Sequence, residues 1–308
     1  MKQGSRATFY YGGQAVLEGV MMRGRRTMAV AVRAPSGQIV VKTEPLPKRL
    51  YQSPIARVPF LRGMLMLWDT LGLGMKALMF SADVALAEQD AQLSRPAQWT
   101  TVVLALAFAI GLFFVLPLVI VGAFDHLLES STLSNLIEGV VRLGLLVGYV
   151  GLIGRVQEIG RVYAYHGAEH KTINAHERGV PLVPEEVARQ SITHVRCGTN
   201  FLLLVVAISV LVFALFGRPD MVTRIASRVV LIPVIAAIAY EVIRLGAARY
   251  GNPLVRLIMQ PGLALQRLTT REPSLDQIEV GIAAFKAVLA ADEEREVAPR
   301  PAGVRDSA

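Results

Sequence analysis

Long apolar stretches separated by short polar segments follow one another from about residue 100 onward and predict membrane-spanning helices. A helix needs about 20 mostly apolar residues to cross the hydrocarbon core of a bilayer. Four stretches meet or approach this length: Thr100–Gly122, Leu136–Gly154, Phe201–Phe216 and Ile225–Leu245. Near the start of the second stretch, Glu138 and Arg142 stand one helical turn apart, where they can form an ion pair. The pattern predicts an all-α integral membrane protein with about four transmembrane helices.

The first 50 residues have a different pattern, which predicts a small N-terminal β-hairpin unit. Thr27–Ala34 and Gln38–Glu44 are rich in β-branched residues, and Pro35–Gly37 between them is typical of a hairpin turn. The preceding Gly12–Gly24 reads G-G-Q-A-V-L-E-G-V-M-M-R-G and predicts a strand and turn leading into the hairpin. It is not a phosphate-binding loop, because the G-x-x-x-x-G-K-[ST] pattern is absent.

Two segments are amphipathic and predict helices that lie at the membrane surface. Within residues 51–98, the apolar stretch 54–86 is interrupted by charges, which favours an interfacial helix or pair of helices over a span. A tilted or re-entrant segment is the alternative, and 87–98 reads as a linker. Asn252–Leu268 has apolar residues at roughly helical spacing and is also predicted to be interfacial.

The C-terminal part predicts a cytoplasmic amphipathic helix followed by a disordered tail. Over Pro273–Ala290, four apolar side chains recur on one helical face: Ile278, Ile282, Phe285 and Leu289. The chain therefore divides into a β-rich unit (1–50), interfacial helices and linker (51–98), a membrane domain (99–250) with a cytoplasmic loop (155–200), C-terminal helices (251–293) and a tail (294–308).

Composition and charge agree with a membrane protein. Apolar residues make up 53% of the chain and the mean hydropathy is +0.45, above the roughly 45–50% apolar content of soluble domains. The net charge of +8 is explained by cytoplasmic loops and anionic lipid headgroups, and no RNA-binding signature points to nucleic acid. The partners expected are membrane lipid and a substrate or protein of unknown kind. Residues 1–11 lack the apolar core of a signal peptide.

The distribution of basic residues predicts the orientation. Thirteen Lys and Arg residues precede the first predicted span and six lie at 155–200, whereas 123–135 contains none. Because basic loops stay in the cytoplasm, both termini and the 155–200 loop are predicted to be cytoplasmic.

Candidate chemistry is concentrated in that loop. Four of the five histidines and the only cysteine lie between Tyr165 and Asn200. If the second span continues as a helix, His166, Glu169 and His170 share one face at i, i+3 and i+4. This H-x-x-E-H pattern is the inverse of a metalloprotease signature and predicts two histidine ligands for a divalent metal, with Glu169 as general base. Imidazole and carboxylate suit zinc, with iron and manganese as alternatives.

The sequence offers three candidates for the third metal ligand and does not distinguish between them. His194 and Cys197 precede the third span and Glu241 lies near the end of the fourth, so all three are expected at the membrane depth of the histidine pair. Lys171 or Arg196 would stabilise negative charge developing on a carbonyl or phosphoryl oxygen. The combined prediction is a metal-dependent hydrolase of unknown substrate.

Two alternative functions do not require a metal that catalyses hydrolysis. Cys197 activated by His194 and by a helix N-terminus predicts a nucleophilic thiolate instead. In the other, the protein is a non-enzymatic scaffold, assembly factor or regulator. Gly12–Gly24 then docks against the histidine loop, and Lys171, Arg196 and Glu18 form structural ion pairs.

Four motifs in order give the chain a resemblance to the YqhQ-like family of bacterial membrane proteins: Gly12–Gly24, Y-H-G-A-E-H-K-T-I-N (165–174), H-V-R-C-G-T-N (194–200) and L-T-T-R-E-P (268–273). The family's motif has proline and serine where this chain has Val195 and Asn200, and His176 usually corresponds to another residue. The resemblance implies a multi-span protein of the bacterial inner membrane and a metal-dependent enzyme whose reaction is not established.

Overall fold

A computed structural model describes residues 9–47, 53–87, 95–128, 130–215, 217 and 220–297. Most of the described residues are helical, and one four-stranded sheet lies near the N-terminus. The strands are β1 (Gly12–Val16), β2 (Gly19–Arg23), β3 (Thr27–Arg33) and β4 (Ile39–Pro45). The helices are α1 (Leu61–Leu86), α2 (Arg95–Ile110), α3 (Leu116–Phe124), α4 (Ser131–Ile153), α5 (Gln157–Glu177), α6 (Pro184–Ala188), α7 (Gly198–Ala214), α8 (Met221–Ala248), α9 (Pro253–Thr269) and α10 (Leu275–Val297).

The sheet is an antiparallel meander in the order β1-β2-β3-β4. The predicted hairpin is confirmed, with Arg33 opposite Ile39 and Gly37 in the turn at φ +85°. A positive φ favours glycine because it has no Cβ. The Gly12–Gly24 segment forms a complete hairpin of its own, β1–β2, in which Glu18 takes a positive φ of 50°.

Both faces of the sheet are covered, which explains why β3 is buried along almost its whole length. One face packs on α5 and α10, where Val20 and Ala29 contact Tyr165 and Phe285 in a shared core. The other face packs on α1 through Val30 and Leu73. A strand covered on both faces reads as a continuous apolar run. The β-rich unit is therefore the middle layer between helices from three distant parts of the chain.

Three helical segments of the described chain are long and apolar enough to cross a membrane: Pro96–Phe124, Ser131–Ile153 and Ile225–Ala248. The first includes a π-helical turn, Gly111–Val115, between α2 and α3. The remaining predicted span, the third along the chain, corresponds to α7, which is apolar but only 17 residues long. The structure thus supports a membrane protein, and the number of spans stays a prediction.

The second span does not continue into the histidine segment, so that prediction is wrong. Helix α4 ends at Ile153, and α5 begins at Gln157 after a short break. The Arg271 guanidinium donates to the Gly154 carbonyl oxygen, which satisfies a backbone acceptor that the helix end leaves open. Helix α5 consequently packs on β1, β2 and α10 as a separate element.

The 54–86 segment contains a 3₁₀ turn, Pro54–Arg57, and the single helix α1, one of the two helical arrangements predicted for it. Helix α1 packs on α8 as well as on the sheet. The C-terminal boundary differs from prediction. Helix α10 continues to Val297, so 294–297 is helical rather than disordered. Its last turns are anchored because the Asp292 carboxylate accepts the backbone N–H groups of Arg25 and Arg26. Residues 298–308 lie outside the described part.

Candidate functional site

Helix α5 places two histidine rings side by side. His166 and His170 are one turn apart, and their ring centroids lie 4.4 Å from each other. Nδ1 of His166 is 2.9 Å from the Thr269 carbonyl oxygen, and Nδ1 of His170 is 2.6 Å from that of Ile192. A carbonyl oxygen only accepts hydrogen bonds, so both Nδ1 atoms carry the proton and both Nε2 atoms offer a lone pair.

Cys197 completes the group from another helix. It is the N-cap residue of α7, and its Sγ accepts the Thr199 backbone N–H at 3.4 Å. The same Sγ lies 3.3 Å from Nε2 of His166. The potential ligand atoms of His166, His170 and Cys197 all lie within 4.8 Å of one another. The structure thus brings together three of the five predicted metal ligands.

The donor set of this cluster fits a divalent metal. His170 is 1% exposed, and its Nε2 is buried without a hydrogen-bond partner among the described residues. Burial lowers the pKa of His170, which favours the neutral, ligating form. Metal-bound histidines usually donate their second ring N–H to a carbonyl or carboxylate, as both do here. Two imidazoles and one thiolate leave one position open around a tetrahedral zinc ion.

Glu169 lies beside the cluster and contacts the sheet. Its carboxylate is buried and accepts the Gly13 backbone N–H, while its Oε2 has no hydrogen-bond partner among the described residues. Burial raises the pKa of Glu169 to about 7, against the opposing effects of His166 and the Gly13 N–H. A Cβ atom on Gly13 would lie 2.9 Å from Cγ of Glu169. The absence of a side chain at Gly13 therefore lets β1 close over the carboxylate.

His194 forms a second, separate polar group. Its ring centroid is 5.9 Å from that of His170, and its Nε2 lies 3.4 Å from the Glu177 carboxylate, to which Arg196 also donates. The Arg196 guanidinium stacks 4.1 Å from the ring centroid of Tyr10. Burial alone would raise the pKa of Glu177, but His194 and Arg196 together hold it below its usual value. The predicted pairing of His194 with Cys197 is not observed.

Lys171 and Glu241 have partners outside the cluster. The Lys171 ammonium is 3.0 Å from Glu272 and donates to the carbonyl oxygens of Ala188 and Gln190. These three partners occupy the three N–H donors of the ammonium group, so its geometry is that of a structural anchor. Glu241 accepts from the guanidinium of Arg62 and from the Phe60 backbone N–H. Glu241 therefore contacts the Phe60–Arg62 segment and is not part of the His166–His170–Cys197 group.

Several supporting residues were missed by the sequence reasoning. Thr269 supplies the carbonyl behind His166, and Gln266 bridges α9 to the other motif by donating to the His194 carbonyl oxygen at 2.8 Å. Glu177 anchors His194 and Arg196. Thr269 does fall within the L-T-T-R-E-P motif, which was the available signal. The ring of His176 packs 5.3 Å from that of Tyr11.

Comparison with known proteins places the chain in a family. Residues 58–291 match the family described as "Protein of unknown function (DUF1385)". The Bacillus subtilis (strain 168) protein named "Uncharacterized protein YqhQ" is 33% identical over 292 residues, which cover 91% of this chain and 92% of that protein. No solved structure gives a significant match. The chain therefore belongs to the DUF1385, YqhQ-like family.

Proposed function

We propose that this protein is a metal-dependent hydrolase of the bacterial inner membrane, with a zinc-like site held by His166, His170 and Cys197. The observation that carries the proposal is the arrangement of three ligand atoms within 4.8 Å of one another. Both histidines direct Nε2 towards this point because a backbone carbonyl holds each Nδ1 proton. Such second contacts fix ring orientation and raise ligand basicity.

The residues around the site have distinct roles in this proposal. A divalent ion there would supply Lewis acidity and lower the pKa of water. Glu169 receives the proton, since a buried carboxylate with a pKa of about 7 is half ionised near neutral pH and suited to act as general base. The contact of Gly13 with Glu169 excludes solvent from that side. Lys171 and Arg196 act as structural anchors here, because their charges are engaged by Glu272 and Glu177.

The proposed placement has four membrane spans, with both termini and α5 on the cytoplasmic side. Three candidate spans and the apolar helix α7 support the count. The position of basic residues supports the orientation, since 123–135 has none and 155–200 has six. Helix α7 begins at Gly198, directly after its N-cap residue Cys197, so the site would lie at the cytoplasmic membrane surface.

Elemental analysis of the purified protein tests the metal site. The wild type is expected to hold about one zinc ion per chain, and His166→Ala to lose it, because a three-ligand site rarely keeps metal with two. His176→Ala is the matched control, since His176 is on the same helix but packs against Tyr11 and Phe285. Equal metal content in all three proteins would contradict the proposal.

A second candidate function is a non-enzymatic membrane scaffold or assembly factor. It is favoured by the ion pairs of Lys171 with Glu272, Arg196 with Glu177 and Glu18 with Arg161. On this view the polar motifs hold the sheet, α5 and α9 together without chemistry. If His170→Ala abolishes accumulation of the protein at every metal concentration tested, the scaffold is favoured. A folded His170→Ala protein that has lost only its activity favours the enzyme.

A further inference from the structure

An apolar cavity lies beside the cluster, between the first turns of α7, the last turns of α8 and the middle of α9. Its volume is about 220 Å³, and Leu203, Ile243 and Met259 are among its lining residues. Of the residues that line it, only Asn200 and Arg249 carry polar side chains. Cavities lined in this way bind apolar groups, with the few polar positions fixing orientation.

The cavity is at one end of a candidate span. Gly246 lies near the end of α8, the helix that contains the candidate span Ile225–Ala248. Asn200 lies one turn after Cys197, the N-cap residue of α7. Next to the cavity, α9 exposes Leu254, Leu257 and Ile258, each more than 60% accessible. In the membrane placement proposed above, on which this inference rests, the cavity opens at the cytoplasmic interface of the bilayer.

Basic residues are numerous in the part of the chain that forms two walls of the cavity. Residues 242–271 contain five arginines and no acidic residue, and Glu241 and Glu272 lie directly outside this range. Arg249 caps α8 at the cavity wall, and its side chain is exposed. Clusters of basic residues at the cytoplasmic surface attract anionic lipid headgroups, and guanidinium groups bind phosphate well. An apolar cavity with a cation at its edge is complementary to an amphiphile that has an anionic head.

The cavity is also connected to the candidate metal site. Oδ1 of Asn200 accepts from Nε2 of Gln266 at 2.9 Å, and the same amide nitrogen donates to the His194 carbonyl oxygen. Gly262 packs against Asn200 closely enough that a Cβ atom there would be 2.5 Å from Oδ1. A molecule in the cavity would therefore contact Asn200, which is linked through Gln266 to the backbone of His194.

We propose that this cavity binds one acyl chain of an anionic phospholipid from the cytoplasmic leaflet, with the phosphate of its headgroup against Arg249. Packing of the chain against the apolar wall supplies the contacts that hold it, because in a bilayer close packing rather than transfer from water drives association. Arg249 supplies the preference for an anionic head. The site is distinct from the His166–His170–Cys197 cluster, and lipid binding requires no metal.

The test measures lipid retained by the full-length protein, purified in detergent and stripped of native lipid. Equimolar phosphatidylglycerol and phosphatidylcholine with identical acyl chains are added, and bound lipid is counted by native mass spectrometry. The wild type is expected to retain one phosphatidylglycerol. Gly246→Leu should weaken binding of both lipids, because a Cβ atom at this position is 3.0 Å from Sδ of Met259 and displaces it into the cavity. The expected loss is about tenfold in binding, which corresponds to about 1.4 kcal/mol.

Matched variants separate the two parts of the site. Arg249→Gln should remove the preference for phosphatidylglycerol and leave phosphatidylcholine binding unchanged. Arg244→Gln, on the same helix but outside the cavity lining, should behave as wild type. Gly122→Leu adds the same volume at an open position on α3 and should also behave as wild type. Val242→Phe is a second cavity-filling variant, should Gly246→Leu not yield folded protein.

Two results would overturn the proposal: unchanged lipid retention in the cavity-filling variants, or an equal loss in Gly122→Leu. Zinc content is measured in the same samples. Lipid retained by a protein without zinc counts against the metal site alone, whereas zinc retained by a wild type that binds no lipid counts against the lipid site alone.

Discussion

Sγ of Cys197 lies 3.3 Å from Nε2 of His166, across 31 residues of sequence. The contact joins the start of α7 to the middle of α5, and the Thr269 carbonyl at the end of α9 fixes the histidine from behind. Three helices therefore meet at one pair of side chains. Substitution of a ligand, of the base or of a supporting residue at this junction should therefore have different effects on metal content, activity and stability.

The base and the ligands should respond differently to substitution. Glu169→Gln should keep the metal and reduce activity by about 100-fold or more, the usual contribution of a general base. His170→Ala should lose both metal and activity. Glu158→Gln, a change to an exposed residue in the first turn of α5, is the control. Metal content and complementation of a deletion strain are the measurements. Full complementation by Glu169→Gln would rule out the hydrolase mechanism even with metal present.

Gly13→Ala should destabilise the protein by about 1–3 kcal/mol, the usual cost of overpacking. A Cβ atom there would lie 2.6 Å from the Met21 carbonyl oxygen and 2.9 Å from Cγ of Glu169. Gly12→Ala is the matched control, because a Cβ atom at Gly12 has no neighbour within 4 Å. Thermal unfolding in detergent measures the difference. Equal stability of the two variants would show that β1 does not close over Glu169.

The contribution of Glu177 should depend on pH. Because the pKa of Glu177 is below its usual value, the ionised carboxylate stabilises the fold at neutral pH, and this stability is lost as pH falls below about 4.5. Glu177→Gln should therefore unfold more easily than wild type at pH 7, by about 1 kcal/mol or less. The difference between the two proteins should shrink as pH falls below about 4.5. A difference that does not change with pH would show that the charge of Glu177 is not its cause.

Glu138 should be the most costly carboxylate to neutralise. It accepts from Arg142 on α4 and from Arg228 on α8, each at 2.6 Å, and all three side chains are buried. Removing one partner from a buried ion pair costs about 3–5 kcal/mol, so Glu138→Gln should lower the unfolding temperature by several degrees. Ser209→Ala, which removes a weaker 3.4 Å contact to Arg142, should cost much less. A similar small loss in both would contradict this ranking.

Local sequence patterns predicted much of the candidate site, whereas the contacts between neighbouring helices could be seen only in the structure. Helical spacing was sufficient to place His166 and His170 on one face, and β-branched runs predicted the β3–β4 hairpin. The membrane depth expected for His194, Cys197 and Glu241 was not enough to identify the third ligand, because residues at one depth can belong to different helix pairs. Only Cys197 reaches the histidines, while Glu241 pairs with Arg62 on α1.

The break at Gly154 was also beyond local prediction. Nothing between Gly154 and His176 is a strong helix breaker, and the separation of α4 from α5 is instead accompanied by a contact with Arg271, 117 residues away. A contact between residues so far apart in sequence leaves no periodic pattern from which it could be predicted. The same holds for Gly13, whose role depends on the buried Glu169 carboxylate.

The covering of the sheet on both faces has a consequence for biosynthesis. The strands leave the ribosome well before α10, the helix that covers one of their faces, and Asp292 on α10 reaches back across 267 residues to Arg25. Until then, Val20, Ala29 and Phe285 cannot share a core, and the apolar strands stay open to other chains, which favours aggregation. Closure of the sheet thus waits for the synthesis of all the helices between α1 and α10, and a chain that stops before α10 would present an uncovered β-surface to the cell's quality-control proteases.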